Sequence, residues 1–197
     1  MSKVAFLFLS SKTYPSERNS KIQKKLFLNQ KRFKEIYWYK QGTKKQLSGK
    51  EANLINNDLF INADDSSIGM GLKTIKAFEW MLDNTDFEIL FRTNTSSFIS
   101  FDNIEKYINE NFKILKNIYC GKIYETNDIE KNKIIFASGS GYFLSRDVVE
   151  KIVLNKDLWD HRLWDDVSLA LLIKKINIKP INGERFDIEG NIFRKEI

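Results

Sequence analysis

Two adjacent carboxylates, Asp165 and Asp166, follow Trp164 and open an apolar run that ends near Ile176. Neighbouring acids compete for protons, and such pairs often carry the perturbed pKa values that suit a general base. The same two residues would also suit a helix start, where carboxylates cap backbone N–H groups and complement the helix dipole. A second polar cluster, Thr93-Asn94-Thr95-Ser96-Ser97, follows the apolar stretch 87–91. Ligands of open α/β sheets bind at the carboxyl ends of strands, so this cluster marks a candidate site. Gly139 and Gly141 would let backbone approach a ligand or turn sharply, but the Gly-Lys-Ser/Thr ending of a phosphate loop is absent. His161, the sole histidine, lies between Trp159 and Trp164. It fits a base, a ligand or an ordinary loop residue, and the tryptophans fit stacking on a ligand or core and rim packing. Cys120 reads as a small buried hydrophobe.

The elements that must position these residues alternate. Residues 4–9 read as an apolar strand, and 16–30 as an amphipathic helix with Ile22, Leu26 and Phe27 on one face. A short strand over 36–39 precedes a polar loop over 42–49 and a short helix over 50–56. Residues 59–62 are strand-like, and Asp64-Asp65-Ser66-Ser67 offers N-cap chemistry for a helix over 69–82. That helix carries Leu72, Ile75, Phe78, Trp80 and Leu82 towards a core. Strands follow at 87–91, 98–100 and 117–123, with a helix from Phe101 or Asp102 to Asn111. Residues 134–136 lead through the glycines to a strand over 142–144. Asp147 and Glu150 have capping-box spacing for a helix to about Leu154. A last helix spans 165–176, and an extended piece 179–182. Strands alternating with helices predict a mainly parallel sheet covered on both faces.

The chain has 197 residues, 42% of them hydrophobic, which predicts a single folded domain over 1–197. No apolar run approaches the roughly 20 residues that span a bilayer. The one cysteine cannot close an internal disulfide, which fits a cytoplasmic location. Charge is uneven: residues 1–50 carry 13 Lys/Arg against Glu17 and Glu35, a net +11, and the remainder is −5. Such a face suits an anionic partner such as a diphosphate or acidic lipid headgroups, or is simply a solvated helix. No basic patch with interleaved aromatics or recognisable motif points to nucleic acid.

Several segments, in order, resemble the β-1,3-galactosyl/N-acetylglucosaminyl-transferase family, which includes the Fringe-type enzymes. They are Asp65-Ser66 with Leu72-Lys73-Thr74, then Trp80, then Arg92 through Phe98 in the slot of Lys-Thr-Asp-Asp-Asp-Val-Phe. Tyr119-Cys120-Gly121, Ala137 through Asp147, Trp164-Asp165-Asp166-Val167 with Leu172 through Ile178, and Phe186-Asp187-Ile188-Glu189 continue the series. The likeness runs over about residues 15–190 and implies a GT-A-like fold. It also implies inverting transfer of a sugar from a UDP-sugar to a glycan or lipid-linked acceptor, at a membrane surface if the basic quarter docks there.

The resemblance assigns Asp166 as base with Asp165 beside it. Donor contacts fall to Ser10, Arg18, Asp65, Lys73, Arg92, Thr93, Asn94 and Thr95, and acceptor contacts to Gly139, Gly141 and Trp164. The family's Asp-X-Asp metal triplet is Thr93-Asn94-Thr95 here, and no histidine follows Phe186. Mn²⁺ or Mg²⁺ therefore lacks its usual ligands, and diphosphate charge would fall to Lys12, Arg18, Lys73 or Arg92. A homologue that binds without turnover is the alternative.

Overall fold

The computed structural model describes residues 3–30, 32–127 and 132–188. Strand β1 (Val4–Leu9) sits near the middle of an eight-stranded mixed sheet of order β3-β4-β2-β1-β5-β8-β7-β9. The strands are β2 (Ile36–Gln41), β3 (Ala52–Ile55), β4 (Asp58–Ile61), β5 (Ile89–Asn94), β7 (Tyr119–Asn127), β8 (Lys133–Ser145) and β9 (Ile181–Asn182). β4, β2, β1 and β5 run parallel, whereas β8 lies antiparallel between β5 and β7. A separate two-stranded pairing joins β6 (Phe98–Ile99) to β10 (Asp187–Ile188).

Side-chain alternation sorts the core into two layers. In β1, Val4, Phe6 and Phe8 join one cluster, which α1 (Ser16–Phe27) and α4 (Phe101–Asn111) cover through Phe27, Ile104 and Ile108. Ala5 and Leu7 join the other, covered by α3 (Ser67–Asn84), α5 (Arg146–Leu154) and α6 (Asp165–Lys175). A strand buried on both faces must be apolar throughout, which is why β1 reads as an unbroken hydrophobic run. The expected single α/β layer with helices on both faces is what forms.

Several local expectations fail for identifiable reasons. Residues 50–56 form no helix. Ala52–Ile55 is instead the outer strand of a hairpin with β4, and Asn56 takes a left-handed φ of 55° in the turn. Asn tolerates that conformation better than most residues do. Within the 42–49 loop, Thr43 and Gln46 exchange both capping-box bonds and form the short helix α2 (Lys44–Leu47). Helix α5 begins at Arg146 rather than at an Asp147 cap. Ser145 is its N-cap residue and donates to Asp147 Oδ1 at 2.6 Å, while Glu150 pairs with Arg146. The buried face of α1 holds Ser20, Gln23 and Phe27, while Leu26 is exposed. Gln23 fills that polar gap, accepting from Trp38 Nε1 at 2.9 Å and donating to Ser97 O at 2.8 Å. Leu72 is likewise on the outer side of α3. Glu189 lies outside the described residues.

The glycine-rich stretch does not break the sheet: β8 runs through it. At Gly141 a methyl group would sit 2.6 Å from Phe91 Cζ on the neighbouring strand, so the ring occupies the space a side chain would need. Gly141→Ala should therefore lower stability by about 1–3 kcal/mol through overpacking. In urea denaturation the midpoint should fall with the slope unchanged. Combining it with Phe91→Leu should cost less than the two single losses together. Strict additivity would show that the ring does not need Gly141.

Candidate functional site

Arg92 is where the sheet and the chemistry meet. It follows Leu90 by two positions on β5, so it faces the α3/α6 layer, and its side chain is buried at 1% exposure. The guanidinium donates through Nε to the Tyr39 hydroxyl at 3.0 Å and through Nη1 to Gly139 O at 3.4 Å. Nη2 donates to the buried Asp165 carboxylate, which also accepts from Thr74 Oγ1 at 3.4 Å. The Tyr142 ring lies against the guanidinium, 5.4 Å from centroid to Cζ. Burial pushes the phenols of Tyr39 and Tyr142 up, which keeps both neutral.

This arrangement corrects two expectations. Arg92 forms the floor of the site and its charge is spent on Asp165, so it is not a free donor-binding cation. Asp165 is that cation's counter-ion and not a second solvent-facing base. Asp166 is different. Half-buried, it accepts from Gly139 N at 3.0 Å through Oδ2 and from Val167 N at 2.9 Å through Oδ1. Burial raises its pKa above the ordinary aspartate value, and the adjacent Asp165 charge adds to the rise. The two N–H bonds and Arg92 oppose it. Its carboxylate lines a cleft of about 360 Å³, together with Asn94, Gly139 and the 68%-exposed Trp164.

A second hollow of about 310 Å³ adjoins the first, and Leu9, Met70 and Asn94 line both. The two are halves of one cleft at the carboxyl ends of β1 and β5. The second half is lined with small polar groups: Ser10, Thr13, Ser16, Asn19, Thr95 and Ser96. The buried ammonium of Lys73 lies there, paired with Asp65 and 3.5 Å from Ser10 O, and Asp65 Oδ2 also accepts from Lys12 N at 3.1 Å. The Ser10 hydroxyl is buried without a partner among the described residues.

The triplet at the end of β5 stitches neighbouring elements together. Thr93 donates to Ser140 O at 2.6 Å, Asn94 Nδ2 donates to Gly139 O at 3.0 Å, and Thr95 shares a 2.7 Å hydroxyl bond with Ser16. Asn94 Oδ1 accepts from Ser96 N at 3.0 Å and from Ser97 Oγ at 3.2 Å. This donor set does not fit a divalent cation. Its oxygens are neutral and already engaged, and the carboxylates of Asp65 and Asp165 each hold a buried cation.

The cleft thus gathers Ser10, Asp65, Lys73, Arg92, Asn94, Thr95, Gly139, Trp164, Asp165 and Asp166, with Thr93 bonded to its wall. Two expected members lie elsewhere. Arg18 shares a separate surface groove with Lys21 and Lys25, because Ser16 and Asn19 occupy the helix face turned to the cleft. Gly141 accommodates Phe91 rather than an acceptor. His161 also stays out: its buried Nδ1 faces Gly71 beside Trp159. Sequence reading missed Tyr39, Met70, Ser16 and Asn19. Of these only Ser16 carries a local signal, the hydroxyls of Ser10, Ser11 and Thr13 just before it.

No protein-family profile matches the chain. It is 25% identical over 138 residues to UDP-GalNAc:beta-1,3-N-acetylgalactosaminyltransferase 2 of Xenopus laevis, and equally to that of Xenopus tropicalis. Each match covers 64% of this chain and 28% of the relative, so the chain spans little more than a quarter of their length. Among solved structures, bifunctional IspDF from Campylobacter jejuni superposes with a TM-score of 0.49 at 14% identity, over 93% of this chain and 50% of that one. The apo-form glycosyltransferase GlyE of Streptococcus pneumoniae TIGR4 gives 0.44 at 10%, over 92% and 45%.

Because Arg92 and Asp165 are both buried, removing one strands the other. Arg92→Met should cost about 3–5 kcal/mol in chemical denaturation, whereas Arg92→Met with Asp165→Leu should cost clearly less. A double variant at least as unstable as the single would show that the pair itself stabilises the fold.

Proposed function

We propose that the chain is a glycosyltransferase domain that moves a sugar from a UDP-sugar to a hydroxyl of a glycan acceptor with inversion. The observation that carries this reading is Asp166, a half-buried carboxylate with a raised pKa at the acceptor half of a strand-end cleft. Asp166 would take the acceptor proton as that oxygen attacks the anomeric carbon. The bond to the diphosphate breaks on the opposite face, and UDP leaves with the bonding pair. In the other half, the exposed Lys12 and the hydroxyls of Ser10, Ser16 and Thr95 would meet the diphosphate in place of a metal, while Lys73, like Arg92, stays bound to its carboxylate in the wall. Trp164 would offer its exposed indole to a sugar face. The similarity to a UDP-GalNAc transferase supports the donor class, over the part of that protein it covers.

A cytoplasmic location at a membrane surface, with a lipid-linked acceptor, belongs to the same proposal. It rests on the outer face of α1, where Arg18, Lys21 and Lys25 flank an exposed Tyr14 and Leu26. Nucleic acid has no part in it. A second reading, a nucleotide-sugar binder without turnover, is favoured by the closed Thr93-Asn94-Thr95 triplet.

Calorimetric titration with UDP, UDP-galactose, UDP-N-acetylglucosamine and UDP-N-acetylgalactosamine should detect binding of at least one. Silence from all four at millimolar concentration, with folded protein, would end the donor reading. Transfer should persist in EDTA, and its complete loss with recovery on adding Mn²⁺ would refute metal independence.

Asp166→Asn should lower turnover by roughly 10²-fold or more while leaving donor affinity near wild type. Both carboxylate oxygens accept from backbone N–H groups, so the amide must turn its NH₂ towards one of them. A loss of about 1–3 kcal/mol is therefore expected as well. Activity needs Asp166 ionised, so its acid limb should lie above the ordinary aspartate range. The sign for stability is opposite to that of a salt-bridged carboxylate. A pKa raised on folding makes ionised Asp166 destabilising, and that cost is relieved as pH falls through the raised value. Equal turnover in wild type and Asp166→Asn would return Asp166 to a helix-capping role.

A further inference from the structure

Further along α6, about 6 Å from Asp166 at Ala170 and about 12 Å at Lys174, a separate hollow of about 350 Å³ opens between the helix, β7, β8 and the turn into β9. Its floor is apolar: Tyr119, Ile134, Ala170 and Ile178 are all buried. Its rim is basic: Lys133, Lys174 and Lys179 are exposed at the mouth, and among the described residues no carboxylate lines the hollow. Lys133 is held by Glu125 at 2.7 Å, while Lys174 and Lys179 have no ion-pair partner among the described residues. The donor and acceptor halves of the cleft use none of these side chains.

We infer that this hollow binds an amphipathic anion, a single apolar chain ending in a phosphate or carboxylate. Its volume falls in the usual range for small-molecule sites of about 300–1,000 Å³. Such sites pair an apolar lining with a few polar groups that fix orientation, which is the division seen here between floor and rim. Water in an apolar hollow is poorly accommodated, so a hydrocarbon chain gains by displacing it. The ammonium groups of Lys174 and Lys179, without an ion-pair partner among the described residues, then hold the head at the mouth as compact point charges. The lysines would otherwise only extend their stems over apolar surface with their amines in water. The hollow is concave and set between a helix and two strands, so it takes one chain and not the face of a bilayer.

The test is calorimetric titration of the whole chain with dodecyl phosphate and with laurate, each below its micellar concentration. One-to-one binding of at least one is expected. Lys174→Ala with Lys179→Ala should weaken it by about tenfold or more, and Ala170→Leu, which fills the floor, should abolish it. Inorganic phosphate alone should not compete. No binding at millimolar concentration to folded protein would overturn the inference. So would equal competition by inorganic phosphate, indifference to both variants, or binding only to phosphatidylglycerol vesicles. UDP titrations on the same samples report the strand-end cleft separately, so failure of one site is not mistaken for failure of the other.

Discussion

The bond between Arg92 and Asp165 is the constraint around which the site is organised. A guanidinium on a central strand cannot be hydrated, and it is tolerated only because a carboxylate, a phenol and a carbonyl each take one of its N–H groups. Each partner comes from a different element: Asp165 from the start of α6, Tyr39 from β2 and Gly139 from β8. Satisfying one buried cation therefore fixes three elements relative to β5. Asp166 inherits its location from this arrangement, since its neighbour is anchored below and Gly139 N holds it from the side.

The two halves of the cleft divide labour by electrostatics. In the half around Asp65 and Lys73, charge is neutralised within the wall, and what faces the hollow is mostly hydroxyl and amide. In the half around Asp166, burial leaves a carboxylate that binds a proton more readily than an exposed aspartate does. One half is equipped to hydrogen-bond an oxygen-rich ligand, and the other to accept a proton.

The residues that a one-dimensional reading recovers are those whose role is local. The runs that became β1, α3 and α6 carry local signals, an unbroken apolar stretch in β1 and polar N-terminal residues ahead of apolar ones in α3 and α6, so their positions follow from neighbours a few residues away. Arg92 is the opposite case. Its charge suggests an exposed ligand contact, and only a partner 73 positions later along the chain makes it a buried anchor. Arg18 failed for a related reason: helix α1 turns Ser20, Gln23 and Phe27 to the core with Ile22 partly buried beside them, which leaves Leu26 exposed and places Arg18 on the outer side. Gly141 looked like room for a ligand, but Phe91 from the adjacent strand already occupies that room. Residues 50–56 were too short and polar for periodicity to separate helix from strand, and pairing with β4 decided it.

Helix α3 presents Lys73 and Thr74 as consecutive residues, the first bonded to Asp65 in one half of the cleft and the second to Asp165 beneath the other. A single helical turn thus acts as a common keel for both halves. Any tilt or slide of that turn displaces both carboxylates together, so a ligand that repositions Asp65 also strains the support under Asp165. For the same reason the two halves are not free to diverge separately, because a substitution that resets α3 to suit a new group on one side changes the seating of the acid on the other.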